Sequence, residues 1–563
     1  MRKTFFIITA TCIGIFLCML DTTVMNIALP AIQTGLKTDL SALSWAINAY
    51  TIVFATLTIP LSRISERVGV HKFYIGGLMF FLAGSIISAT SSNLFFLVIG
   101  RIIQSLGAAT VFPLSMIIGI SSVTISKRTR VIAALGVTQG LAAALGPTIG
   151  GVLTQFASWR WIFLVNVPLI IIAIFLSLMT LELKELRKDI KIDTVGAILS
   201  IIALFSLTLS LVQGRDWGWT SLTTIILLAV SVITTVMFII YETKCPYPMI
   251  PMELFQNRQF NGAALAIVLS NLFLVAVTVV LPTYFTKIQG KTELVAALLV
   301  TPISVMIFIF SPIAALLIKK IGSRSIIGIG FIAMTVAYIL FTKINMESVP
   351  QVIMTCLLLG FGYGIIAGPI LVLAASDFTG EMLTASQSVA GVLRQVGIVL
   401  AVAIFVTGLY SNISVAKNSS IDYAKAQISS LNLPQNSTAV MEKQAVRQIQ
   451  EESSTTSKRN HFSSQEKEAM IQKRYEQALI QNRAVEASSE VQEEIFQKVT
   501  RIVTSELEKM NQKINRSISN IEKFTKQRMS NAFISLYKAS IIFVGGSALT
   551  ALLFDKKSKK RKK

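Results

Sequence analysis

Long runs of apolar residues recur along most of the 563-residue chain, and they limit its possible folds more than any other feature. A helix needs about 20 apolar residues to cross the hydrocarbon core of a bilayer. Lipid offers no hydrogen-bonding partners, so a spanning segment must satisfy its own backbone, as a helix does. The runs are too uniformly apolar for the alternating strands of a membrane barrel. The sequence therefore predicts an all-α polytopic membrane protein.

The apolar runs predict fourteen membrane spans. The first is not a cleaved signal peptide, because it is long and many spans follow it. An even number places both chain termini on the same side of the membrane. The predicted spans are 5–29, 44–62, 73–92, 95–120, 131–155, 161–181, 194–213, 221–241, 261–284, 294–318, 326–343, 350–375, 387–410 and 533–554.

Basic residues in the loops indicate which side that is. Loops rich in Lys and Arg remain in the cytoplasm, which predicts cytoplasmic termini and a bacterial plasma membrane. Topology then explains the net charge of +22 without nucleic acid as a partner, and the basic tail can also contact anionic membrane lipid. The basic stretches on this face are 63–72, 126–130, 182–191, 319–324 and 556–563.

The spans divide the chain into five predicted parts. They are an N-terminal six-helix half (1–181), an inserted pair of helices with flanking loops (182–260), the first five helices of a C-terminal half (261–410), an extracellular helical domain (411–532), and the last membrane helix with its basic cytoplasmic tail (533–563).

Two basic turns, "SERVGVHKFYIGG" (65–77) and "IKKIGSRSIIGIG" (318–330), suggest an internal repeat. Their alignment places Gly69 on Gly322 and Gly77 on Gly330. Parallel six-helix repeats are a transporter design in which the binding site lies between the halves near the membrane midplane. Spans one to six and nine to fourteen would be the halves, and spans seven and eight an inserted pair.

Residues 411–532 are polar, and the parity of the spans places them outside the cell. Apolar residues at helical spacing predict two or more long amphipathic helices in an antiparallel hairpin. One interpretation is a coiled-coil-like spacer whose stripes bury each other. The other is a docking surface for an envelope partner, or an exit-side lid. The stripe residues are Ile471, Tyr475, Ala478, Asn482, Val485, Ile495, Val499, Ile502, Leu507, Met510, Ile514, Ile518 and Ile521.

Asp21 is an acidic residue inside the first span, "FFIITATCIGIFLCMLDTTVMNIALP" (5–30). It lies roughly 24 Å along a helix from Phe5, in the outer third of the membrane. Burial disfavours the charged form of a carboxylate, so Asp21 can exchange a proton near neutral pH. Its charge can alternate with a cationic substrate or with a salt bridge to Arg101. The alternative is that Asp21 caps the helix in the outer headgroup region.

Arg101 and Gln104 lie one helical turn apart in "RIIQSLGAA" (101–109) of the fourth span. A buried arginine in lipid usually marks a pathway or a partner carboxylate. The alternative is that Arg101 extends its head group outward to the membrane surface.

The fifth span is dense in glycine, in "ALGVTQGLAAALGPTIGGVL" (134–153). Small residues let another helix approach closely, and a proline removes a backbone donor and favours a kink. The stretch is either ordinary helix packing or a bendable seam that limits leak, and these interpretations are compatible. The seam residues are Gly140, Gly146, Pro147, Gly150 and Gly151.

The loop after the second span contains Glu66, Arg67 and Gly69. Its charges are explained either by topology alone or by a gate, with Glu66 near a helix N-terminus and Arg67 bridging the two halves. The sequence contains no metal-ligand set, nucleophile triad or phosphate-binding loop, so an enzyme is not expected.

These motifs resemble the fourteen-helix drug–proton antiporter branch of the major facilitator superfamily (EmrB/QacA type). The resemblance covers 5–410 and 533–554 and includes "LDTTVMNIALP" (20–30), "WRWIFLVNVP" (159–168) and "LRQVGIVLAVAI" (393–404). It implies alternating access driven by proton influx, with Asp21 as the protonatable residue and no cofactor beyond the proton gradient. It also implies a functional Arg101 and a cytoplasmic gate of Glu66, Arg67 and Gly69.

The chain departs from this family pattern in two respects. The gating loop has Ser62 and Val70 where glycine and a basic residue are usual. Spans ten and thirteen contain no carboxylate, which disfavours divalent cationic drugs, and span thirteen offers Arg394 and Gln395 to the substrate pathway instead.

The function favoured by the sequence is proton-driven efflux of amphipathic small molecules. The alternatives are export of an endogenous envelope lipid, peptide or metabolite with the help of 411–532, and a transporter-like scaffold or sensor.

Overall fold

The computed structural model of the chain describes residues 2–38, 40–183, 191–375, 377–431, 435–451 and 464–555. Within these ranges the secondary structure is helical. The basic tail 556–563 and most of the predicted loop 182–191 lie outside the described residues.

The α-helices are numbered here in chain order. They are α1 (Arg2–Leu36), α2 (Leu40–Val68), α3 (Val70–Thr90), α4 (Leu94–Ser121), α5 (Ile125–Phe156), α6 (Trp161–Leu164), α7 (Asn166–Thr180), α8 (Thr194–Trp217), α9 (Leu222–Glu242), α10 (Arg258–Lys287), α11 (Glu293–Ile321), α12 (Ser323–Phe341), α13 (Val349–Ala375), α14 (Gly380–Ala401), α15 (Thr407–Ser429), α16 (Gln435–Glu451), α17 (Ser464–Gln481) and α18 (Ser489–Ser547). A π-helical turn (Val402–Val406) joins α14 to α15, and 3-10 segments lie at Met252–Gln256 and Ala548–Leu553.

Short polar side chains set the starts of several membrane helices. The side chain of Asn93 accepts a hydrogen bond from the backbone N–H of Phe96 at 3.1 Å, and so caps α4. Asp193 caps α8 in the same way through Gly196 at 2.9 Å. These caps satisfy backbone donors that the first helical turn leaves without partners.

Thirteen helices in the described part of the chain are long and apolar enough to cross a membrane. They coincide with thirteen of the predicted spans. The remaining predicted span, 131–155, lies in α5, which is not among the thirteen, so the count of fourteen stays a prediction. The outward surface is apolar, as the side chains of Phe175, Leu222 and Ile233 illustrate with exposed fractions of 60%, 74% and 58%. Such a surface suits lipid.

The membrane helices pack as two groups joined along a seam. Helices α1 to α7 form one group, and α10 to α14 with the 3-10 segment Ala548–Leu553 form the other. The groups meet where α5 packs on α11 and α2 packs on α14. The inserted pair, α8 and α9, contacts α2 and α14 through α8, and therefore borders the seam.

The two turns aligned in the sequence have the same backbone conformation. Gly69 precedes α3 with φ 112° and ψ 121°, and Gly322 precedes α12 with φ 93° and ψ 144°. L-residues with a side chain rarely adopt this region, so both turns require glycine. The match supports the proposed repeat of the two halves.

Residues 410–533 form a separate compact unit. In this unit α15 and α18 run antiparallel: Asn412 donates to the carbonyl of Ala532 at 3.2 Å, and the rings of Tyr423 and Phe524 stack at 4.1 Å. Of the predicted stripe residues, Ile521 packs with Ala424 and Ile428 of α15 inside this unit.

The predicted stripes differ from the structure at three positions. Helix α17 ends at Gln481, so Asn482 and Val485 lie beyond it and are exposed, and Ile502 of α18 is exposed as well. Ile471 of α17 packs against Val499 and Val503 of α18, whereas Ile502 is 45% exposed. Adjacent residues on a helix point about 100° apart, so Val503 takes the inward place that the sequence pattern assigned to Ile502.

Candidate functional site

Asp21 lies inside α1 and not at its end. The helix continues from Asp21 to Leu36, so the side chain does not cap it. The exposed fraction of Asp21 is 3%. Of the two interpretations that the sequence left open, the geometry fits a carboxylate held within the helix bundle.

Two side chains of α4 hold the carboxylate of Asp21. Nη1 of Arg101 donates to Oδ2 at 2.6 Å, and Nε2 of Gln104 donates to Oδ1 at 2.8 Å. The same Nη1 donates to Oε1 of Gln104 at 2.8 Å, which closes a ring of contacts among the three residues. Because only the amide oxygen can accept from a guanidinium, the amide nitrogen of Gln104 must face Asp21. Arg101 is 1% exposed and therefore points into the bundle, away from the membrane surface.

Neighbouring helices complete the surroundings of this network. Nε of Arg101 donates to the carbonyl oxygen of Ala46 in α2 at 3.3 Å, and its guanidinium lies 4.2 Å from the ring centroid of Tyr50. Nε2 of Gln104 also contacts Oγ of Ser85 in α3 at 3.0 Å. Hydrogen bonds thus connect the carboxylate of Asp21, directly or through Arg101 and Gln104, to α2, α3 and α4.

A small cavity lies between the two groups of helices. Phe112, Met116 and Ile370 contribute apolar wall, while Asn271 and Tyr363 contribute polar groups. The phenol of Tyr363 donates to Oδ1 of Asn271 at 3.1 Å.

Arg394 lines this cavity, whereas Gln395, which the sequence also offered to a substrate pathway, is buried and does not line it. Nη1 of Arg394 donates to Oε1 of Gln139 in α5, which links the two groups of helices. Sequence reasoning missed Gln139, Asn271 and Tyr363, because single polar residues in long spans are common and only the helix rotation places them on one cavity.

The glycines of α5 face two different helices. A Cβ at Gly146 would lie 1.8 Å from Oγ1 of Thr23 in α1, and one at Gly140 would lie 2.8 Å from Cγ2 of Ile307 in α11. Gly151 also faces α11, because a Cβ at this position would lie 3.2 Å from Cδ1 of Leu294. These glycines therefore allow α5 to pack between α1 and α11.

A polar contact adds to this seam. The hydroxyls of Thr148 in α5 and Thr301 in α11 lie 3.1 Å apart. The carbonyl of Gly150 accepts a hydrogen bond from Thr154 at 2.7 Å, within α5. Pro147 belongs to the same helix, but its side chain lies outside the described residues.

The end of α2 forms a charged cluster with the start of α14. Arg63 donates to the carboxylate of Glu66 and lies 3.4 Å from Oε2 of Glu381. Glu66 also hydrogen-bonds with Thr384 in the first turns of α14. The guanidinium that reaches the second group of helices thus belongs to Arg63, whereas the side chain of Arg67 is exposed. This corrects the prediction that Arg67 bridges the halves.

The segment that follows the inserted pair lies beside the charged cluster of Arg63, Glu66 and Glu381. The carboxylate of Glu242, at the end of α9, accepts hydrogen bonds from the backbone N–H groups of Met249 at 3.2 Å and Ile250 at 3.3 Å. Met249 and Ile250 line a small cavity together with Arg63 and Glu381. Nothing in the sequence indicates this contact of Glu242.

Comparison with known proteins decides the family. A model described as "Major Facilitator Superfamily" matches residues 11–402, which is most of the membrane-embedded chain. The chain belongs to the major facilitator superfamily. The superfamily part of the resemblance drawn from the sequence motifs is thereby confirmed.

Relatives within the superfamily are named as drug-resistance proteins. The chain is 29% identical over 394 residues to "Multidrug transporter protein MdtP" of Bacillus subtilis, covering 69% of this chain and 72% of that protein. It is 30% identical over 332 residues to "Probable multidrug resistance protein EmrY" of Escherichia coli, covering 58% and 65%. It is 29% identical over 335 residues to "Methylenomycin A resistance protein" of Bacillus subtilis, covering 59% and 72%.

Membership of a transporter superfamily gives the candidate residues a common setting. The Asp21 network lies within the first group of helices, the cavity lies between the groups, and the charged cluster around Arg63 lies at one end of their seam.

Proposed function

We propose that this chain exports amphipathic small molecules across the plasma membrane in exchange for protons, by alternating access. The names of its superfamily relatives support drug efflux as the class of transport. The observation that carries proton coupling is the buried contact of Asp21 with Arg101 and Gln104.

The proton acts through the charge balance of this contact. While Asp21 is ionised, it compensates the guanidinium of Arg101. A proton on Asp21 leaves Arg101 as an uncompensated buried charge, which is costly in low dielectric. The helices then favour an arrangement in which Arg101 finds other partners. Binding of substrate and proton to different arrangements is sufficient to couple them, because linkage is reciprocal.

Closure on one side of the cavity is assigned to the cluster of Arg63, Glu66 and Glu381. It joins α2 to α14 at the end that the positive-inside pattern places in the cytoplasm. An ion pair across the seam stabilises a state closed on that side, and its separation opens the cavity to the cytoplasm. Both chain termini lie in the cytoplasm in this scheme.

The test uses inverted membrane vesicles whose lumen is acidified by respiration. Lumenal pH is followed with an entrapped pH-sensitive fluorescent protein. Three amphipathic probes are added in turn: ethidium (a cation), N-phenyl-1-naphthylamine (neutral) and 8-anilinonaphthalene-1-sulfonate (an anion). The wild type should release lumenal protons with at least one probe, and Asp21→Asn at equal expression should not.

Asp216→Asn is the matched control, because Asp216 is an exposed carboxylate next to Arg215 at the end of α8. It should behave as the wild type. Proton release by Asp21→Asn at the wild-type rate would contradict the coupling role of Asp21. Silence of the wild type with every probe would favour export of an envelope cargo, or the scaffold or sensor, over drug efflux.

Export of an endogenous envelope lipid, peptide or metabolite is the second candidate. It is favoured by the separate core of residues 410–533, where Ala424, Ile428 and Ile521 pack together. In that case 411–532 would bind the cargo or an envelope partner. Deleting 425–525 separates the two candidates: drug efflux should survive the deletion, whereas delivery of an envelope cargo should not.

A further inference from the structure

The positive charge of Arg394 has no acidic counterpart in its cavity. Among the described residues that line the cavity none carries a carboxylate, and the recorded hydrogen-bond partner of Arg394 is the neutral amide of Gln139. Arg101 differs, because Asp21 balances it. The central cavity therefore contains a half-buried cation with no carboxylate among the described residues that line the cavity.

Two hydrogen-bond donors at this cavity also have no partner. They are Nε of Arg394 and Nε2 of Gln139, and both atoms are buried. Gln139 is 5% exposed. Its amide oxygen accepts from the guanidinium, so the remaining nitrogen can only donate. Asn271 and Tyr363 hydrogen-bond to each other, and neither accepts a hydrogen bond from these two donors.

The rest of the cavity suits an apolar or aromatic body. The ring of Phe112 lies 5.8 Å from the guanidinium carbon of Arg394, and Met116 and Ile370 continue the apolar wall. A ligand with an aromatic part and one oxyanion group could do both things at once. Its aromatic part would pack on the apolar side chains, and its oxyanion would accept hydrogen bonds from the unpaired donors.

We propose that the cavity selects amphipathic organic anions, whose carboxylate or sulfonate binds at Arg394 and Gln139 while the apolar body packs on Phe112. This inference rests on the proposed function and names its substrate class. Guanidinium groups bind planar and tetrahedral oxyanions through charge-assisted hydrogen bonds. A lipophilic cation would instead place a second positive charge beside Arg394 in low dielectric.

The test compares two probes that share one scaffold. 8-Anilinonaphthalene-1-sulfonate is N-phenyl-1-naphthylamine with an added sulfonate, so the difference in affinity isolates the anionic group. Binding to the full-length chain in lipid nanodiscs is measured by equilibrium dialysis, with empty nanodiscs as the blank. The wild type should bind the sulfonate at least about tenfold more tightly than the neutral probe, as expected for a charge-assisted contact.

Three variants test the assignment to these residues. Arg394→Gln should abolish the preference, and Arg394→Lys should retain part of it. Gln139→Glu keeps the size of the side chain and supplies the missing carboxylate, so it should pair with Arg394, abolish the preference for the sulfonate and strengthen ethidium binding. Size-exclusion profiles report whether each variant is folded.

Equal affinity of the wild type for the two naphthyl probes would overturn the inference. An unchanged preference in folded Arg394→Gln or Gln139→Glu would overturn it as well. Proton release driven by ethidium without any preference for the sulfonate would leave the proposed antiport intact. A sulfonate preference that depends on Arg394, with no proton exchange for any probe, would instead support the site and overturn the antiport.

Discussion

Nη1 of Arg101 donates to Oδ2 of Asp21 at 2.6 Å, with both side chains almost completely buried between α1 and α4. A paired buried charge is tolerated, but removal of one partner leaves the other uncompensated. The contact is therefore a structural link between two helices, and in the proposed antiport a single proton opens it.

The first prediction concerns the coupling of these two residues. Arg101→Gln should lower the free energy of unfolding by about 3–5 kcal/mol, because it leaves the carboxylate of Asp21 buried without its cation. Combining it with Asp21→Asn should cost less than the sum of the single changes, by about 2 kcal/mol. Unfolding midpoints of the detergent-purified variants measure this, and strictly additive effects would show that the pair is not coupled.

The second prediction concerns the packing of α5 on α1. Gly146→Ala would place a methyl group 1.8 Å from Oγ1 of Thr23, so the helices must separate. The cost should be about 1–3 kcal/mol, and efflux should be lost. Gly76→Ala is the control, because nothing lies within 4 Å of its Cβ position, and it should change stability by less than about 0.5 kcal/mol. Equal behaviour of the two variants in thermal unfolding and efflux would refute a tight seam.

The third prediction separates Arg63 from Arg67. Arg63→Gln should weaken the contact between α2 and α14, whereas Arg67→Gln, at an exposed position, should not. The reporter is Ser388→Cys, which lines the small cavity beside Glu381, on a background without the four native cysteines. Arg63→Gln should speed thiol labelling in inverted vesicles about fivefold, equivalent to ~1 kcal/mol in the open population.

Faster labelling with Arg67→Gln than with Arg63→Gln would reverse this assignment and restore the one made from the sequence. The same experiment tests orientation. Labelling that occurs only from the opposite membrane face would contradict cytoplasmic termini.

The sequence predicted some of these residues and could not predict others, for physical reasons. Asp21 and Arg101 were identifiable because charges are rare inside apolar spans and each needs a partner. Arg63 and Arg67 lie four positions apart, on one face of the last turns of α2, and the point along that face where α14 approaches decides which one meets it. The rotation of α18 decides between the adjacent residues Ile502 and Val503.

Residues of the cavity were harder still to predict. Gln139, Asn271 and Tyr363 come from α5, α10 and α13, and none of them stands out from the other polar residues of the spans. Only the packing of the two groups of helices brings them to one place. Apolar periodicity reports which face of a helix is buried, but it does not report which helices meet.

The fourth prediction concerns the membrane voltage. Exchange of one proton for one monovalent cation is electroneutral, so collapse of the voltage with a potassium ionophore should leave ethidium efflux nearly unchanged. Exchange of one proton for one organic anion moves two charges, each worth about 2.3 kcal/mol per 100 mV. When the voltage is collapsed, accumulation of 8-anilinonaphthalene-1-sulfonate in vesicles should therefore fall strongly. The opposite pattern would contradict a single coupling carboxylate.

The most direct test of the central claim uses purified chain in proteoliposomes with an acidic lumen, comparing wild type with Asp21→Asn. Probe accumulation and proton release are measured together, and exchange of labelled for unlabelled probe is measured without a gradient. The wild type should accumulate probe and release protons, whereas Asp21→Asn should retain exchange and lose both gradient-driven activities. Accumulation by Asp21→Asn with proton release at the wild-type ratio would show that Asp21 does not couple the proton to transport.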